Sequence, residues 1–306
     1  MVEQQLAVLN APSKQDLLSQ AATVFELLDV SADTRHDYQA RIGMFLAFIS
    51  EGGLNRNSFL AFKRSLAART DISVSTKNKY LVTARIFLKE LNRQGILPAD
   101  ITQNIKSFSQ SRKHKRDGLT EAEVAILVEK LGALPHTPTN TRLKAIVSLL
   151  ALQGLRQIEV VRLNVNDLHL ARKIAYIQGK GRDDLEPISL HPETVRMLRE
   201  YVASNRVADG ALFTSNSNNS LRQRLSTRSL QNIVKDSFQE LGIEKSVHGL
   251  RHYYATKLIR AYKGDLLQVA RYTRHRNIST LEVYFDDVES EADLPRYYQT
   301  FEDVRF

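Results

Sequence analysis

The chain has 306 residues, with 43 Lys and Arg against 34 Asp and Glu, so its formal net charge is +9 and its pI is near 9.6. Hydrophobic residues make up 42% and charged residues 25%, an ordinary globular usage that excludes wholesale disorder and fibrous repeats. Cysteine is absent, which excludes a disulfide framework, a thiol nucleophile and a Cys-bound metal.

From Ser13 to about Phe108 the apolar pattern is helical, preceded by MVEQQLAVLN, which lacks the basic start and apolar stretch of a signal peptide. Lys14 to Val30 places Leu17, Leu18, Ala21, Val24, Phe25 and Leu28 on one broad face. Tyr38, Ile42, Phe45 and Ile49 mark a second helix that stops at Gly52-Gly53. Ser58 to Arg69 and Thr76 to Gln94 complete a four-helix unit over residues 1–108. The fourth helix carries Lys77, Lys79, Arg85, Lys89 and Arg93 against Glu90 alone; it is either a solvated face or a face laid on phosphates. Residues 109–118, SQSRKHKRDG, have no periodicity, and Arg112, Lys113, Lys115 and Arg116 make them a basic linker.

Thr120 and Glu123 have capping-box spacing and open a helix to about Leu131. Helices follow at Thr141 to Gln153, closed by Gly154, and from near Ile158 to Leu163. The period then changes: Lys173 to Gln178 and Leu185 to Leu190 are β-rich runs around the loop Gly179 to Asp184, a hairpin pattern. Helical patterns return at Pro192 to Ser204, Ser226 to Leu241, His248 to Tyr262, Gly264 to Thr273 and Ile278 to Asp286. The expected fold is mostly α with a small β-sheet (α+β). No stretch is long and apolar enough to span a bilayer.

Charge is segregated along the second unit. Residues 251–276 carry +6, whereas residues 277–306 carry −6 with Leu294, Tyr297, Tyr298, Phe301, Val304 and Phe306 among the acids. The basic part suits an anionic ligand, which would repel the tail, so the tail is expected to face protein. Leu294, Tyr298 and Phe301 share a helical face, which docks either on a neighbouring chain or back on its own domain. In the basic part, His248 and Arg251 are three apart and can point at one phosphate. Arg156 follows a helix end, and Lys180 sits between two glycines. Singly, each has an ordinary reading: a helix-end cation, a solvated loop lysine, a capping histidine, or, for Tyr284 beside Leu281, a half-buried aromatic.

Together these residues resemble the tyrosine recombinase (phage integrase) family, of Xer-like type. The family's G-L-R-x-x-E is matched by Gly154-Leu155-Arg156-Gln157-Ile158-Glu159, and its hairpin lysine by Lys180. H-x-L-R-H-x-x-A-T is matched by His248 to Thr256, and H-x-x-x-x-T-x-x-x-Y by His275, Thr280 and Tyr284. The similarity covers roughly residues 119–290, and the preceding helices look like the family's core-binding domain. One departure is Thr273-Arg274-His275-Arg276, where many relatives have Leu-Gly-His.

The resemblance implies a DNA-binding core domain over 1–108, a linker over 109–118, a catalytic domain over 119–287 and a protomer-contacting tail over 288–306. It implies catalytic roles for Arg156, Lys180, His248, Arg251, His275 and Tyr284, with Glu159 in support. Lys77, Lys79, Arg85, Lys89, Arg112, Lys113, Lys115, Arg116, Arg274 and Arg276 are expected to bind DNA. Two arginines can grip a phosphodiester by charge-assisted bonds, so no metal is expected; each step exchanges one phosphodiester for another and keeps its bond energy, so no ATP or other cofactor is expected. The expected enzyme is a site-specific recombinase that works through a 3′-phosphotyrosyl intermediate as a homotetramer on two duplexes, with accessory proteins, in the bacterial cytoplasm at the nucleoid. The alternatives are a type IB topoisomerase-like enzyme, a catalytically silent DNA-binding accessory protein and a metal-dependent nuclease.

Overall fold

The computed structural model describes residues 21–110, 118–179, 181, 183–216, 221–275 and 277–304, with the backbone alone at 287 and 290–292. The chain divides into two units, Met1–Ser111 and Arg112–Phe306.

The first unit holds α1 (described over 21–26), α2 (Ala32–Gly52), α3 (Ser58–Ala68) and α4 (Val74–Arg93). Ser31 and Ser73 cap α2 and α4 by accepting from the N–H groups of Thr34 and Thr76. The core is aromatic: Phe25, Phe45, Phe59, Phe62 and Phe87 are buried, and the Phe45 and Phe62 rings meet edge-on with centroids 5.0 Å apart. The non-helical stretch after α4 is tied back by Asn78, whose Nδ2 donates to Phe108 O at 3.0 Å and whose Oδ1 accepts from Phe108 N at 2.9 Å.

The second unit opens with α5 (Glu121–Ala133), where the expected capping box forms between Thr120 and Glu123. Helix α6 (Pro138–Leu152) is buried along nearly its whole length and forms the centre of this unit. A one-and-a-half-turn helix α7 (Gln157–Arg162) leads into a three-stranded antiparallel sheet of β1 (Leu168–His169), β2 (Ile174–Gln178) and β3 (Leu185–Ser189), in that order. Ala175 and Ile177 point inward from β2, as a half-buried strand requires. Pro187 lies on the edge strand β3, where a missing N–H is tolerated.

Helices α8 (Pro192–Asn205), α9 (Thr227–Glu240), α10 (Gly249–Ala261), α11 (Leu266–Thr273) and α12 (Ser279–Thr300) complete the unit. The last helix does not stop near Asp286, as its apolar pattern predicted, but runs on through Pro295. Beyond Val288 it carries Leu294, Tyr297 and Tyr298, with Phe301 just past its end, and these are 40–64% exposed. Among the described residues no helix is long and apolar enough to cross a membrane.

Candidate active site

The site grows from a turn. Gly154 ends the approach from α6 in the left-handed region (φ +57°), and a Cβ there would stand 2.2 Å from Cδ1 of Tyr254. Only glycine fits both the dihedral and the space. The turn delivers Arg156 to the N-cap of α7, where the Glu159 carboxylate accepts from Arg156 N at 2.8 Å and from Arg156 Nη1 at 2.8 Å. Glu159 is 1% exposed at its side chain, whereas Arg156 remains 29% exposed. Burial alone would push the Glu159 carboxyl up; the charges of Arg274 and Arg156 outweigh it and hold the carboxyl below its usual range.

Arg251, on the first turn of α10, is 3% exposed. It donates to Gly154 O, to Thr273 O at 2.7 Å and, more weakly, toward Nε2 of His275 at 3.4 Å. Burial and then the neighbouring Arg156 bring its guanidinium down to about 10, still charged at neutral pH.

The Thr273 hydroxyl donates to Val269 O at 2.9 Å, so its oxygen is left to accept from His275 Nδ1 at 2.7 Å. His275 is therefore the Nδ1–H tautomer, with the Nε2 lone pair turned to Arg251. Burial, followed by the charges of Arg251, Arg156 and Arg274, pushes His275 down to about 3 from 6.5. An imidazole neutral in the native state but protonated when unfolded makes stability fall as pH drops from about 6.5 to about 3. The stability of the wild type relative to His275→Gln should decline across that window, measured as thermal midpoints at stepped pH. A pH-independent difference would contradict the neutral buried ring.

Tyr284 lies on α12, 6% exposed, among Ile259, Val269 and Leu281. Its ring centroid is 5.0 Å from that of His252 and 6.4 Å from that of His275. Burial raises its phenol above the usual value, and Arg251 and Arg156 oppose that rise. His248 is at the N-cap of α10, makes no side-chain cap bond, and sets its ring edge-on to His252 at 4.8 Å.

One unit thus gathers Arg156, Glu159, His248, Arg251, His275 and Tyr284. Lys180, Arg276, Arg112, Lys113, Lys115 and Arg116 lie outside the described residues. Two participants had no role assigned from sequence: Thr273, which orients His275, and His252, which packs on the Tyr284 ring. His252 is the fifth residue of H-x-L-R-H, a signal that was visible. Among the expected DNA contacts, Lys79 and Lys89 are exposed on α4, with Lys89 3.9 Å from Asp100. Lys77 instead donates to Ala67 O at 3.2 Å, and Arg85 donates to Ile105 O at 2.6 Å and covers the Phe59 ring. Arg274 is turned inward, 3.1 Å from Glu159 with 6% side-chain exposure.

The family model described as "Phage integrase family" matches residues 118–291, more than half of the chain and all of the described site. The chain belongs to the phage integrase family. A tyrosine recombinase XerC of Roseiflexus castenholzii is 32% identical over 272 residues, covering 84% of this chain and 83% of that protein. A crystal structure of the XerH site-specific recombinase bound to a palindromic difH substrate, a post-cleavage complex, shares the fold. Its TM-score is 0.72 at 18% identity, covering 91% of this chain and 84% of that one. A lambda integrase tetramer bound to a Holliday junction aligns with a TM-score of 0.65 at 13% identity, covering 91% and 79%. The protein is a tyrosine-type site-specific DNA recombinase of Xer type.

Proposed function

We propose that this recombinase cuts and rejoins DNA through a 3′-phosphotyrosyl link to Tyr284, acting as a tetramer on two duplexes without metal or ATP. The observation that carries this reading is the packing of Tyr284 against His275, whose Nε2 faces the buried Arg251 guanidinium. A phosphodiester gains negative charge as a nucleophile adds, and Arg156 and Arg251 offer fixed, charge-assisted donors to its non-bridging oxygens. Two guanidiniums supply the charge stabilisation that a divalent ion gives in other phosphoryl transferases.

The phenol oxygen attacks phosphorus, the bond to the 5′-oxygen breaks, and the phenolic proton leaves to His248 as general base. An alkoxide leaves poorly, so Lys180 donates a proton to the departing 5′-oxygen. His275, its ring held by Thr273, accepts from Arg251 through Nε2 and steadies that guanidinium against the phosphate. One phosphodiester is exchanged for another, so bond energy is conserved and a 5′-hydroxyl from the second duplex reverses the chemistry. The helical unit over 1–108, with Lys79 and Lys89, together with the basic linker, grips the backbone and adds salt-sensitive affinity.

The tetramer reading draws on the lambda integrase assembly and on α12. Leu294, Tyr297, Tyr298 and Phe301 recur at helical spacing and are 40–64% exposed, an apolar face that the described residues leave largely uncovered. We assign this face to a neighbouring protomer.

Sedimentation and recombination assays in EDTA test the reading together. Full-length protein should place four protomers on two cognate duplexes and recombine them with chelator present. A truncation after Val288 should still bind a single duplex yet recombine at least about tenfold more slowly. Full-rate recombination by the truncated chain would defeat the docking role. Metal-dependent cleavage, or relaxation of supercoils by a monomer without strand exchange, would defeat the function proposed.

A further inference from the structure

Arg274 occupies a position built for glycine. It follows the last residue of α11, and its N–H closes the helix on Ala270 O at 2.8 Å with φ at 56° and ψ at 41°. A left-handed backbone strains any residue with a Cβ and is free to glycine. The strained residue is nevertheless a long cation, and its side chain points inward rather than to solvent. Nη1 donates to Tyr272 O at 3.2 Å and Nη2 reaches Glu159 Oε2 at 3.1 Å, with 6% and 1% of the two side chains exposed.

Glu159 is the same carboxylate that fixes Arg156. Its Oε1 accepts from Arg156 Nη1, and its Oε2 accepts from both the Arg156 backbone N–H and Arg274. A buried carboxylate with one cationic partner draws that partner fully onto itself. With two, its charge is shared, and the half-exposed Arg156 is oriented without being withdrawn from a ligand.

We propose that Arg274 is a positioning residue for strand cleavage: through the shared carboxylate of Glu159 it holds Arg156 aimed at the scissile phosphate. The inference rests on the phosphate-gripping role of Arg156 proposed above. It replaces direct DNA contact, the role expected of Arg274 from its sequence neighbourhood. It also accounts for Glu159 staying ionised: among the charges acting on that carboxyl, Arg274 contributes the largest lowering.

The variants that decide are Arg274→Gly, Arg274→Lys, Glu159→Gln and the double variant Arg274→Gly/Glu159→Gln, all in the full-length chain. Each is assayed for equilibrium binding to the cognate duplex, thermal midpoint, and the single-turnover rate of covalent adduct formation at saturating DNA across pH. Arg274→Gly relieves the backbone strain but removes one of two cations from a buried carboxylate; the two oppose each other, so its midpoint should move by no more than a few degrees, and binding should stay within about threefold of wild type. Its saturated cleavage rate should drop at least about tenfold. The acid limb of its pH profile should move to higher pH, because Glu159 then protonates more readily, and Arg274→Lys should recover much of the rate. In the Glu159→Gln background the glycine substitution should cost nothing further. Wild-type cleavage by Arg274→Gly overturns the inference, and so does a binding loss with an unchanged saturated rate, which would mark a direct phosphate contact. Fully additive losses in the double variant would also overturn it, since Arg274 would then not act through Glu159. If the wild type forms no adduct, or its adduct survives Tyr284→Phe, the failure lies in the mechanism beneath the inference.

Discussion

Arg251→Ala should reduce strand cleavage by at least about 10³-fold while moving stability by no more than about 2 kcal/mol. The two effects separate because the residue pays a structural cost for its charge. Truncation strands Gly154 O and Thr273 O, each an acceptor whose lost partner costs about 1–3 kcal/mol if water does not replace it. Against that, burial and the facing Arg156 bring the guanidinium from 12.5 to about 10, which corresponds to roughly 3 kcal/mol of opposition to the buried charge. Removing the side chain releases that opposition, so the terms largely cancel. Catalysis has no such compensation, since in the mechanism we propose the phosphate loses its most deeply buried donor. Urea unfolding and single-turnover cleavage check both halves. A variant that cleaves within tenfold of wild type would remove Arg251 from the mechanism.

The second large effect belongs to a residue with no side chain. Gly154→Ala should destabilise the chain by about 3 kcal/mol and slow cleavage by about 100-fold or more. The new methyl must occupy a left-handed dihedral, at a cost of about 1–2 kcal/mol. It also falls 2.2 Å from Cδ1 and 2.6 Å from Cε1 of Tyr254, so the ring or the turn has to shift. The turn is what aims Gly154 O at Arg251 and delivers Arg156 two residues on, so both arginines are displaced together. In a Tyr254→Ala background the glycine substitution should cost only the dihedral part, about 1–2 kcal/mol, because the ring that the methyl strikes is gone. Denaturant midpoints for the single and double variants give the measure. An unperturbed Gly154→Ala would mean that the turn does not hold the site.

These two predictions rest on residues that differ in how readable they were. Spacing alone put His248 and Arg251 on one helix face; that Arg156, His275 and Tyr284 join them was what the resemblance to the tyrosine recombinase family implied. The capping box at Thr120 and the β2–β3 hairpin were equally local and formed as expected. What spacing does not carry is the contact between distant segments. The clash partner of Gly154 is Tyr254, and the partner of Arg274 is Glu159, 115 positions away. The hydroxyl of Thr273 sets the tautomer of His275 through a bond that only the folded end of α11 creates. Strand β1, two residues long, is too short for any alternation. Helix α12 runs past Asp286 because a run of acids and a proline read as a tail, whereas the helix tolerates both on a largely exposed stretch.

Tyr284 is, in the mechanism we propose, the nucleophile of a metal-free transesterification. A nicked suicide duplex bearing the cognate site, incubated with the protein in EDTA, traps the covalent product because the cleaved fragment diffuses away. Denaturing electrophoresis with DNA labelled on either side of the break, followed by peptide mapping, reads both the polarity and the residue. Wild type should form a 3′-linked adduct on Tyr284, and Tyr284→Phe should bind the duplex unaltered while its adduct falls on the order of 10⁴-fold or more. An adduct that persists in Tyr284→Phe, or one that forms only when a divalent ion is restored, would contradict that mechanism.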